Sequence, residues 1–293
     1  MIHDDGESSS LRGCLAAAAL GLAFAHGGAA QDTPPPAPHA SAAHEIPVVP
    51  AELLERPVTL RTGIGTTHDP VTTTSLEAQK FYDQGLVYLH NYVWIDAARS
   101  FNQALRLDPQ LALAYVGLSH AYSELNQRAA ADRALERAGS LATGASEHDR
   151  RHLAIRERQR AAEDAPGDGS TLAAYRQALD DALAQFPSDV ELWLQRGVAE
   201  SSDPAGRGQG SSASAVRFYE RALALVPNHF AAHHYLTHAC ENAGRLEPAL
   251  EHFWASRDGV VTGSCVVPMP VRSVIERSSS SAGTTGIWWT AES

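Results

Sequence analysis

The chain has 293 residues, 44% hydrophobic and 19% charged, proportions that exclude wholesale disorder. Its length suits one extended helical domain or two compact ones. The formal charge is −11, and Lys80 is the single lysine among 23 basic residues; with no basic stripe, this balance argues against nucleic acid as a partner.

The first element in chain order is an export signal over 1–30. Leu11 to Ala25 is a run of small apolar residues, and Gly28 and Ala30 fit a small-x-small cleavage site. Cleavage after Ala30 would leave Gln31 as the mature start and send the protein to the periplasm or outside the cell. Asp4, Asp5 and Glu7 precede a single Arg12, where positive charge is usual; a start codon assigned too early explains this, and a short membrane anchor is the alternative. No later stretch approaches the ~20 apolar residues of a membrane span. Residues 31–74 form a linker and lead-in. They are Pro/Ala-rich to residue 50, and Gly63, Gly65 and Pro70 then prevent a long helix. Thr74-Ser-Leu-Glu77 reads as a capping box that opens a helical region over 75–257.

That region repeats. In a unit of about 34 residues starting at Ala78, Phe81, Gly85, Tyr88, Ala97, Phe101, Ala104 and Pro109 fill the large, small, aromatic, small, aromatic, small and proline slots of a helical hairpin. Gln84 alone departs, standing where Leu is expected. The unit over 112–145 follows with Tyr115, Leu118, Ser119, Tyr122, Ala131, Leu135 and Ala138. Prolines recur at Pro187 and Pro227, and two inserts absorb the excess spacing: Pro166 to Gly169 lengthens one turn and Ser201 to Ser212 another. Trp193, Gly197, Ala215, Tyr219 and Ala222 mark a further unit, and Leu236, Ala249 and Phe253 the last. About five units result. Small residues let paired helices approach closely, and each unit leaves an apolar face that only a neighbour can cover.

These residues resemble the tetratricopeptide-repeat superfamily. The stretches 77–92, 97–109 and 231–245 are similar to exported bacterial proteins of this type whose role is undefined. The resemblance implies an all-α fold, a right-handed solenoid of antiparallel helix hairpins. Its concave groove, lined by first helices, takes a protein or peptide partner, and no catalytic residues come with it. On this basis Tyr82, Asp83, Leu86 and His90 of the first unit, His120 of the second, and His234, Tyr235 and His238 of the last face the groove. Cys240 falls in a packing slot.

His234 and His238 are one helical turn apart, the spacing at which two imidazoles grip one metal ion. A transition metal, a metal cofactor or a carboxylate-bearing ligand held by the groove histidines is therefore a second expectation beside the plainer one of exposed polar groove residues. A firm zinc site takes three or four ligands, and His90 and His120 lie three units from that pair. His148-Asp-Arg-Arg-His152 invites comparison with the H-E-x-x-H of zinc hydrolases. Asp149 is shorter than the glutamate base, no third ligand follows at a suggestive spacing, and two arginines beside the site would repel a cation. A charged first-helix surface continuing into Arg156, Glu157 and Arg158 explains the run better. No phosphate loop, nucleophile elbow or haem-attachment motif appears.

After Arg257 the character changes. Pro268 and Pro270 block another first helix, so 258–293 reads as an irregular or disordered tail. It is either a folded-back cap, pinned if Cys265 pairs with Cys240, or the product of a truncated or frame-shifted gene; the second is slightly favoured. The functional expectation is a non-catalytic scaffold of the cell envelope that binds a protein or peptide partner.

Overall fold

The computed structural model describes residues 48–205 and 213–260; the export signal, most of the linker, part of the second insert and the tail beyond Val260, with Cys265, lie outside them, while 258–260, expected to be irregular, continue the last helix. After a one-turn helix α1 (Ala51–Leu54), ten helices follow as five hairpins. These are α2 (Leu76–His90) with α3 (Trp94–Leu107), α4 (Ala112–Glu124) with α5 (Arg128–Leu141), and α6 (Glu147–Asp164) with α7 (Gly169–Gln185). Then come α8 (Val190–Val198) with α9 (Val216–Leu225), and α10 (Phe230–Asn242) with α11 (Leu246–Val260). Each helix packs on its hairpin partner and each hairpin touches the next, and no strand occurs among the described residues.

The small slots have a steric cause. A Cβ at Gly85 would stand 2.5 Å from the Phe101 ring, and one at Gly117 in the next first helix would stand equally close to the same ring. Phe101 is fully buried between these two bare backbones. Gly197 meets Tyr219 in the same way in the fourth hairpin. The turns inside the first, second and fifth hairpins each hold one residue in the left-handed region, Tyr92 (φ 61°), Asn126 (φ 57°) and Gly244 (φ 70°). This region favours glycine and tolerates asparagine.

Two local expectations change. Helix α2 is capped by Ser75, whose side chain accepts the Ala78 amide, not by Thr74. Thr73 instead accepts the Ser75 amide and donates to Asp108. The extra length near Pro166 enters the helices rather than the turn, since α6 and α7 run 18 and 17 residues against 15 and 14 in the first hairpin. The second insert does sit between helices, separating a short α8 of 9 residues from an α9 of 10.

Helix α6 is the largest departure. Its charges divide between two faces: Glu157 and Arg158 are exposed as expected, but Arg156 is only 1% exposed, and Gln159, Arg160 and Glu163 are buried with it. The Arg156 guanidinium donates to Glu163 at 2.6 Å and crosses to α4, where Ser119 Oγ and Ser123 Oγ accept it at 3.1 and 2.6 Å. Arg160 donates to the other Glu163 oxygen at 2.9 Å. Ser119, in a small slot, makes room for the guanidinium. Opposite charges spaced three and seven residues apart on one helix neutralise each other inward, where an apolar stripe would otherwise be needed.

The stack also meets itself. Val87 of α2 joins a core cluster with Leu194 of α8 and Phe230 and Tyr235 of α10. His90, at the end of α2, contacts the Tyr235 hydroxyl at 2.8 Å and Glu191 at 3.0 Å. The first hairpin therefore touches the fourth and fifth, although three units were expected to separate His90 from the last pair of histidines.

The lead-in is an ordered strap. Gln84, at 5% exposed, accepts the Arg61 amide at 2.7 Å and donates to the Thr59 carbonyl and Ser100. This explains why an amide replaces leucine at that slot. Gln79 accepts the Val71 amide and donates to the Asp69 carbonyl, and Asn91 donates to the Ile64 carbonyl. Two amide side chains of α2 and one at its C-cap, Asn91, thus bind an irregular backbone that would otherwise leave its polar groups unpaired. Farther along, Gly65 (φ 104°) passes against the Phe230 ring of α10.

Candidate functional site

The strap carries Asp69 into the first-helix face, where it meets α6 and α8. Ser146 caps α6 by accepting the Asp149 amide, and its hydroxyl donates back to the Asp149 carboxylate at 2.9 Å. The other Asp149 oxygen accepts the Thr72 amide at 3.0 Å. This fixed carboxylate meets His148 Nδ1 at 3.2 Å and turns the opposite ring nitrogen inward. His148 Nε2 then lies 2.9 Å from Asp69 Oδ1 and 3.6 Å from Asp189 Oδ2. One helical turn on, buried His152 places Nε2 2.9 Å from the same Asp189 oxygen. Asp189 is the cap of α8, its other oxygen accepting the Leu192 amide at 3.1 Å. Asp69 is likewise held from behind, its second oxygen accepting the buried Tyr82 hydroxyl at 2.9 Å.

Charge follows from this arrangement. Burial alone would lower His148, but the carboxylates of Asp149 and Asp69 outweigh it and raise the imidazole to about 10. Burial opposes charge at His152 too, and Asp189 reverses it and raises that ring. Burial would raise Asp189 and Glu191; the imidazoles of His152 and His90 respectively hold them below the usual carboxylate range. Among the described residues, Asp69, His148 and His152 are the group that brings three ligand-type atoms within 4.8 Å of one another.

A cavity of about 620 Å³ opens beside the cluster, bordered by Thr67, Asp69, His148, Asp189, Glu191 and His229, with Phe186, Val190 and Val226 as apolar walls. A second, of about 30 Å³, lies deeper among Tyr82, His90, His120 and His152, room for about one water molecule.

The residues expected to line an open groove are mostly enclosed. Tyr82, Leu86, His90, His120 and Tyr235 are buried, because the strap and the last hairpins occupy the face they make. Asp83 is half-buried and bound to His68 of the strap at 2.9 Å. His234 and His238 do come together, Nε2 to Nε2 at 3.1 Å. His234 Nδ1 faces the His90 carbonyl at 2.8 Å, and His238 Nδ1 faces Glu241 at 3.2 Å. Burial, and then His238, push His234 down to about 3. This pair brings only two ligands to one point, while the His148–His152 pair gains the third that sequence spacing did not show. The missing ligand, Asp69, precedes the motif instead of following it. Arg150 and Arg151 turn away: Arg150 donates to the Ala145 carbonyl, and Arg151 pairs with Glu147 and covers Phe186. Cys240 is buried in its packing slot.

No family model matches the chain, and no curated protein does. Among solved structures it is similar to PilW, a widely conserved type IV pilus biogenesis factor. The identity is 20%, over 64% of this chain and 79% of that one, with a TM-score of 0.36. It is also similar to MamA, at 18% identity over 60% of this chain and 94% of that one, with a TM-score of 0.31. Likeness at this level carries no function across. The repeating unit is an antiparallel helix hairpin of the kind that the resemblance to tetratricopeptide repeats implies. Its marks are the glycine-bare first helices clasping Phe101 and Tyr219 and the stacking of each hairpin on the next. No described helix is long and apolar enough to cross a membrane.

Proposed function

We propose that the protein is a non-catalytic scaffold of the bacterial cell envelope that binds a protein or peptide segment at its first-helix face. The observation that carries this reading is the 620 Å³ cavity at the start of α8 and α10, with apolar walls and a polar floor. It is the open part of a face otherwise filled by the strap. Stacked hairpins present such surfaces as rigid platforms, and an extended segment with one side chain inserted suits the volume. The export signal read in the sequence supports the envelope location.

A photocrosslinking side chain at Asn228, exposed at the cavity mouth, tests this in cells. The expected result is a discrete adduct in the envelope fraction, absent when the probe sits at exposed Gln177 on α7. No adduct at Asn228, equal labelling at Gln177, or a purely cytoplasmic protein would each count against it.

A further inference from the structure

We propose that Asp69, His148 and His152, with Asp189 beside them, form a binding site for a divalent transition metal ion that staples the strap to α6 and α8. The donor set is two imidazoles and two carboxylates, a combination suited to Zn²⁺ and its neighbours in the first transition row. Metal–ligand bonds near 2.0–2.1 Å in tetrahedral array put ligand atoms roughly 3.3 Å apart. Here His148 Nε2 stands 2.9 Å from Asp69 Oδ1 and 3.6 Å from Asp189 Oδ2, and His152 Nε2 stands 2.9 Å from that Asp189 oxygen. Asp69, His148 and His152 each bring one ligand atom within 4.8 Å of the others, and an Asp189 oxygen lies against both imidazoles.

The groups behind the donors are also those a metal site uses. Asp149 holds His148 Nδ1, so Nε2 is presented inward; Tyr82 holds the far oxygen of Asp69; the Leu192 amide holds the far oxygen of Asp189. Such outer partners fix ring orientation and ligand aim. A metal ion would displace the imidazole protons on binding, after which the two carboxylates balance the charge of a divalent ion; the neighbouring arginines are engaged elsewhere. The 620 Å³ cavity borders Asp69, His148 and Asp189 and supplies an entry path. The ligands come from the strap, one helix face and one helix cap, segments separated by 79 and 37 residues, so the ion would act as a tertiary crosslink.

The test is calorimetric titration of the full chain, stripped with a chelator, using Zn²⁺ and Co²⁺ alone as probes. The expected result is one ion per chain at micromolar or tighter affinity. It should be weakened at least 100-fold in Asp69→Asn and in His152→Gln, and unchanged in His234→Ala. Zn²⁺ should also raise the wild-type melting temperature and slow tryptic cleavage after Arg61, readouts that stand even if a variant fails to fold. Absence of binding by wild type at about 100 μM metal would overturn the proposal, leaving the cluster as imidazolium–carboxylate ion pairs. Binding that survives Asp69→Asn and His152→Gln but is lost in His234→Ala would overturn it equally.

Discussion

Gly85 and Gly244 are glycines for different reasons, one of space and one of backbone conformation. Gly85 has ordinary helical backbone and no room, its missing Cβ lying inside contact distance of Phe101. Gly244 has room on every side and a φ of 70°. Gly85→Ala should therefore cost about 1–3 kcal/mol by overpacking, and Gly244→Ala about 1–2 kcal/mol by backbone conformation. Urea unfolding measures both. Relief of the first loss, but not the second, in a Phe101→Leu background would separate the two causes. The histidines give a pH signature of their own. His234 titrates near 3 when folded, because burial and then His238 disfavour its charge, and near 6.5 when unfolded. Above pH 7 it is neutral in both states and contributes nothing. Below about 6.5 the unfolded chain takes up a proton that the folded chain refuses, so stability falls by about 1.4 kcal/mol per pH unit until the folded value is passed. His234→Asn, which keeps a donor for the His90 carbonyl, should lessen the loss between pH 7 and pH 5 by about 2 kcal/mol, read from urea midpoints at the two values.

Helices α2 to α5 were legible because their period, small slots and aromatics agree, and the structure shows the same residues making the same contacts. Helix α6 was not. Its run of Arg, Glu, Gln and His looks like a solvated face, since a sequence records that a residue is charged but not that its partner sits one or two turns along on the inward side. Arg156 is the test. It is 1% exposed and binds Glu163, Gln159, Ser119 and Ser123. Removing it strands Glu163 in the core, although Arg160 remains beside that carboxylate. Arg156→Ala should cost about 3–5 kcal/mol, and a loss under about 1 kcal/mol in urea unfolding would contradict the burial. The Gln84 slot was visible as a departure from the repeat, yet its purpose lay in the strap it holds, which has no periodicity to read.

At the scale of the whole molecule, the stack closes. Helix α2 reaches α8 and α10 through Val87 and His90, and the strap fills much of the first-helix face. The candidate site was half legible: His148 and His152 share a helix face by spacing alone, whereas Asp69 and Asp189 arrive by tertiary path, which no local pattern encodes. Most residues expected to line the groove are buried, because a repeat pattern does not tell whether a face is open or occupied by the chain itself. The proposed binding is then confined to the cavity left at the mouth, and both that cavity and the proposed metal site depend on the strap being part of the fold. Amide hydrogen exchange on the full chain measures this directly. The Arg61, Val71 and Thr72 amides donate to Gln84, Gln79 and Asp149 at 2.7, 3.0 and 3.0 Å. They should be protected to within about tenfold of the interior amides of α2. Exchange at unstructured-peptide rates for those three amides, with α2 protected, would contradict the account.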